Sequence, residues 1–109
     1  MVLAAGYSVP DKFEKSGLEA VKSQFVDAPI IEGSPVVIEC ELVEIVNGTD
    51  FTTVLAKIKN ITADESVVNA KGGIDSLKTG MILYDPFGTN YLSLGEIVGK
   101  PWGEGKKYF

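Results

Sequence analysis

The side chains able to do chemistry in this chain are carboxylates, lysines, hydroxyls and one thiol; the sequence holds no histidine, and all ten of its basic residues are lysines. Histidine is the usual proton carrier near neutral pH and a common metal ligand, so a Ser-His-Asp triad, a Cys-His pair and a histidine-built zinc site are excluded. Arginine, whose planar fork clamps phosphate or carboxylate through two hydrogen bonds, is missing as well. An anion held by this protein is held by lysine, hydroxyls or backbone amides.

Cys40 is the single cysteine. Its place inside an apolar run predicts a buried, inert thiol, because a nucleophilic thiolate needs a cationic neighbour or a helix N-terminus. One cysteine makes no internal disulfide, which points to a reducing, cytoplasmic setting. Asp85 and Asn90 carry ligand-type oxygens, but these residue types favour turn capping over a metal site. Glu39, Glu41 and Glu44 are expected to lie mostly on one solvated face. A net charge of -5 with scattered lysines argues against nucleic acid and against an anionic membrane surface. Met1 to Gly6 lacks the basic start of a signal peptide, and no window approaches the length of a membrane span.

The elements that must position these groups read as mainly β with short helices. A length of 109 residues suits a single domain over residues 1–109 with one core. Pro10-Asp11 before Lys12 to Ser16 and Gly17 after it are helix punctuation. Gly17 to Phe25 is a helical turn or an extended link, and Asp27 to Pro35 a turn-rich connector. Val36 to Val46 alternates as a half-buried strand, with Val36, Ile38, Cys40 and Leu42 forming the apolar set. Beyond Val43 the phase slips and Glu44 falls on that set, so a bulge is expected. Asn47-Gly48 predicts a tight hairpin through positive φ, with the return strand from Phe51 to about Ile61. Single helical turns follow near Ala63 to Val67 and Ile74 to Lys78, the second capped near Gly80. Strands are expected at Met81 to Tyr84 and Tyr91 to Val98, with Asp85 to Gly88 as the turn and Gly99 to Phe109 as a tail.

Six segments then stand in one order: Asp11 to Leu18, Val26 to Glu32, Ser34 to Cys40, Ala63 to Val67, Leu83 to Pro86 and Tyr91 to Glu96. That succession resembles the flavin reductase-like FMN-binding family, in particular its flavoredoxin branch. The resemblance implies a partial FMN-binding split β-barrel built on the long antiparallel hairpin, and it covers the C-terminal part of the family's domain. It implies that the strands and the Ser/Thr- and Arg-containing stretch that supply most FMN contacts would lie before Met1. An unclosed barrel exposes strand edges. The expected partners are therefore a second copy of the chain, as a homodimer, or a separate chain supplying the missing strands.

The family also implies the site residues. FMN is the implied cofactor and electron transfer the implied activity, with the loop before the first helix beside the flavin. There Gly6 lets backbone amides approach an anion, Ser8 donates, Lys12 reaches the phosphate and Tyr7 stacks on the ring. Reductases of this family that use NAD(P)H carry Gly-Asp-His near the hairpin turn; here Phe51 stands in the histidine's place and is expected to pack in the hairpin. Tyr84, Phe87, Tyr91, Trp102, Tyr108 and Phe109 are expected to serve core and interface packing, with Trp102 the leading interface anchor. A second reading is a non-enzymatic β-domain that has lost the cofactor and acts through association.

Overall fold

The computed structural model describes residues 11–108, and within them the backbone is mainly β with one short helix and three 3₁₀ turns. Helix α1 spans Lys12–Ser16 and ends at Gly17 in the left-handed region, φ 72°. That position favours glycine because no Cβ meets the preceding carbonyl. The chain divides into two compact units, Met1–Asp64 and Glu65–Phe109.

In the first unit, β1 (Ala20–Lys22) pairs antiparallel with β2 (Pro29–Ile31). This hairpin falls in the stretch read from sequence as link and connector. Three-residue strands are too short to show alternation, and the turn residues between them dominate the pattern. The turn is fastened by Ser23, whose amide donates to the Ala28 carbonyl and whose Oγ accepts from the amides of Phe25 and Val26. Lys22 pairs with Asp27 across the same turn.

The dominant element is the hairpin of β3 (Val36–Asn47) and β4 (Thr52–Ala63). Its register shifts twice: between Glu39 and Cys40, where β4 carries Lys59 as an extra residue, and between Leu42 and Glu44, where β3 carries Val43. The expected bulge is thus present, and its effect follows from the twofold alternation of strands. Because Val43 is absorbed without a partner, Glu44 pairs with Leu55 and joins the face of Glu39 and Glu41, and Ile45, opposite Val54, rejoins the face of Leu42. One face therefore stays apolar for five successive rows: Val36–Ala63, Ile38–Ile61, Cys40–Ile58, Leu42–Ala56 and Ile45–Val54.

The Asn47-Gly48 turn differs from expectation. Four residues, 48–51, connect the strands, the Gly48 amide donates to the Phe51 carbonyl at 2.8 Å, and neither Asn47 nor Gly48 has positive φ. A four-residue loop reverses the chain without the mirror-image turn that a two-residue loop requires.

In the second unit, 3₁₀ turns at Glu65–Val67 and Ser76–Lys78 flank a loop in which Asn69 accepts from the amides of Lys71 and Gly73. The Asp75 side chain accepts from the Leu77 amide, capping the second turn. Strands β5 (Ile82–Asp85) and β6 (Asn90–Ser93) form the third hairpin. The last strand is shorter than the Tyr91 to Val98 expected, ending at Ser93, and a 3₁₀ turn at Glu104–Tyr108 lies in the tail.

Burial is sparse. Val67 is the only buried hydrophobic residue among those described, and Ser23 and Glu39 are the buried polar ones. The apolar face of the β3–β4 hairpin is bare, with Ile38, Leu42, Ile45, Val54, Ile58 and Ile61 all 48–60% exposed. Cys40 lies on that face and is exposed, which corrects the expectation of a buried thiol. An apolar neighbourhood buries a side chain only when another layer covers it.

Candidate functional site

Of the four residues assigned to a flavin from sequence, Gly6, Tyr7 and Ser8 lie outside the described residues. Lys12 opens α1 and is exposed. Its neighbour Lys15 lies 3.7 Å from Asp11 one turn back, whereas Lys12 makes no ion pair among the described residues. An exposed ammonium on a four-carbon stem can reach a phosphate. By itself it is one contact and no cradle.

A second constellation was not legible in the sequence. Ser23 Oγ donates to Glu39 Oε1 at 2.5 Å, and Asn60 Nδ2 donates to Glu39 Oε2 at 2.5 Å. Glu39 is 4% exposed and Ser23 6%. The carboxylate expected on a solvated face is therefore covered by the β1–β2 turn and satisfied by one donor on each oxygen. Glu41 and Glu44, on the same face, remain exposed. Glu39 sits opposite Asn60 much as Glu41 sits opposite Lys57, so nothing in the strand pattern singled it out, and nothing local announced that Ser23, 16 residues earlier, would dock there. Neutral donors on both oxygens make this a fastening point for the turn. Ser23 Oγ already accepts two amide hydrogens and gives its proton to Glu39, which leaves it no role as a nucleophile.

The aromatic residues of the second unit do not form a core. Tyr84 and Tyr91, paired across β5–β6, meet at 6.0 Å between ring centroids with a tilt of 57°. Phe87 at the tip of that hairpin is fully exposed, and Trp102, at φ 68°, is 93% exposed. Packing of these rings inside the chain is thus corrected, while Phe109 lies outside the described residues. Asp85 behaves as turn chemistry predicts, its carboxylate accepting from the amides of Phe87 and Gly88. No group of three or more metal-ligating side chains comes together among the described residues. No helix there is long and apolar enough to cross a membrane. Phe51 sits in the β3–β4 loop, mostly exposed, its ring and carbonyl lying over Gly48, where an added Cβ would meet them at 3.0–3.2 Å.

Comparison with known proteins supplies the frame for these positions. Residues 2–84 match the model of the flavin reductase like domain. Flavoredoxin of Desulfovibrio vulgaris (Miyazaki F) superposes with a TM-score of 0.79 at 29% identity, over 87% of this chain and 50% of its own. Flavoredoxin from Methanosarcina acetivorans superposes at 0.80 and 23% identity, over 98% of this chain and 55% of its own, a likeness of fold. The chain thus spans about half the length of these two solved structures. No curated protein matches it significantly.

Proposed function

The chain belongs to the flavin reductase-like family, and from that premise we propose that it contributes part of an FMN site used for electron transfer. The observation that carries this reading is the family match over residues 2–84, which takes in Gly6, Tyr7 and Ser8 and the helix that bears Lys12. The exposed Lys12 fits a phosphate contact, and the described residues add no second free cation beside it. The flavin would supply the redox chemistry. The chain's own share is to hold the phosphate through Lys12 and loop amides, with Ser8 donating and Tyr7 covering the ring.

Titration with FMN, followed by flavin fluorescence and thermal unfolding, tests this. A saturable quench and a midpoint that rises with FMN are expected; protein unaffected by millimolar FMN would sink the reading. Lys12→Ala should weaken FMN up to about fivefold, the range of an exposed ion pair, and leave riboflavin, which has no phosphate, unchanged. Phe51 occupies the place where related reductases use histidine at the nicotinamide, so NADPH is expected to give no flavin reduction without a separate reductase. The bare apolar face of the β3–β4 hairpin favours the second reading, a cofactor-free domain acting through association, and the same FMN titration separates the two.

A further inference from the structure

We propose that Asn47, at the tip of the β3–β4 hairpin, is a self-modification site whose side-chain amide is attacked by the Gly48 nitrogen, and that the hairpin loop holds this reaction back. The chemistry needs only water and solvent base. The Gly48 amide gives up its proton and its nitrogen bonds to Asn47 Cγ; the Cγ–Nδ2 bond breaks and ammonia leaves with a proton. Water then opens the five-membered imide at either carbonyl, giving aspartate or, with the main chain rerouted through the side chain, isoaspartate. Nothing is oxidised or reduced.

Sequence and exposure select the position. The chain has four asparagines, and only Asn47 precedes a glycine. Asn60, Asn69 and Asn90 precede Ile61, Ala70 and Tyr91, whose side chains crowd the attacking nitrogen. Gly48 has no side chain to do so. Asn47 and Gly48 are both exposed, so water and base reach them.

The four-residue loop is the restraint. The Gly48 N–H donates to the Phe51 carbonyl at 2.8 Å, so the proton that must leave is already engaged. Asn47 is the last residue of β3 and pairs with Thr52, and the imide ring closes only when its backbone swings out of the extended strand range. Thr52 Oγ1 adds a weak bond to Asn47 Oδ1 at 3.5 Å, and the Phe51 ring lies over Gly48. Conversion therefore passes through local opening of the tip. Isoaspartate then adds a carbon to the main chain and a charge where a neutral amide stood. The Asn47–Thr52 row and the Gly48–Phe51 bond are lost, and the change runs one way.

The experiment ages the full chain near neutral pH, in buffer and in urea, and maps its peptides by mass spectrometry. A gain of about one dalton is expected at Asn47 ahead of the other asparagines, in a product that resists an endoproteinase cutting before aspartate, the mark of isoaspartate. The rate in buffer should be about tenfold or more below that in urea. Gly48→Ala should suppress conversion in urea, where its effect on folding plays no part. Phe51→Ala should raise the rate in buffer roughly threefold or more and leave the rate in urea unchanged, with circular dichroism checking that the variant is folded. Hydrogen exchange on the wild-type chain tests the restraint without any variant: the Gly48 amide should exchange more slowly than those of Thr49 and Asp50, which find no backbone acceptor. No conversion in urea, equal rates in buffer and urea, conversion led by another asparagine, or a Gly48 amide that exchanges as fast as Thr49 would each overturn the proposal.

Discussion

Burying a carboxylate is costly unless its oxygens find donors, and Glu39 has one for each oxygen. Glu39→Ala strands the Ser23 hydroxyl and the Asn60 amide, and should cost about 1–3 kcal/mol in chemical denaturation. Glu39→Gln should cost less: its carbonyl oxygen accepts from Ser23, and the Asn60 amide turns over to accept from the new NH₂. Equal losses for the two variants would show that packing of the side chain, rather than its hydrogen bonds, holds the turn. At the other end of that turn, the hydrogen bond from Lys22 and then its charge hold the Asp27 carboxyl below its ordinary value of 3.8. A depressed folded-state value stabilises the fold above the ordinary carboxylate range and fades as pH falls through the lower value. Carboxyl titration by NMR should find Asp27 titrating below the ordinary carboxylate range, and Lys22→Ala should return it there.

At the level of elements, the β3–β4 loop closes on Gly48 because Phe51 lies over it. A Cβ at position 48 would meet the Phe51 carbonyl at 3.0 Å and the ring at 3.1 Å. Gly48→Ala should therefore cost about 1 kcal/mol, a midpoint lower by roughly 4–8 °C in a domain of this size. In a Phe51→Ala background the cost should shrink without vanishing, since the carbonyl contact stays. The elements legible in the sequence were those whose signal is local. Asp11 and Gly17 bracket α1, and the alternation of Val36 to Leu42 with its slip at Val43 announced both strand and bulge. What escaped depended on distant partners. The three-residue strands β1 and β2 exist through each other, β6 stops at Ser93 where β5 ceases to pair with it, and Glu39 is buried by a turn that its own strand gives no hint of. The candidate site divides the same way: Lys12 stands on the helix expected of it, while the Ser23–Glu39–Asn60 cluster required the fold to be seen.

The molecule as a whole buries little of what its composition would let it bury, 45% of its residues being hydrophobic and only Val67 among the described ones being enclosed. Unfolding of the single chain should then expose little new apolar surface. Calorimetry at low concentration should give a heat-capacity change below the roughly 1.3–1.6 kcal/mol/K usual for 109 residues. A value inside that range would mean that the bare faces are covered in solution even in the single chain. So much uncovered surface raises a further matter, the alternative of open-ended growth. Among the described residues, β3 and β4 each have one edge with no strand partner, and each carries one extra residue, Val43 on β3 and Lys59 on β4. Fibrils lengthen by adding strands to a flat, regular edge, and a bulge interrupts the even ladder of amides and carbonyls that an incoming strand needs. The two single-residue insertions that sort the hairpin's faces thus also break, on each strand, the even ladder that cross-β growth requires.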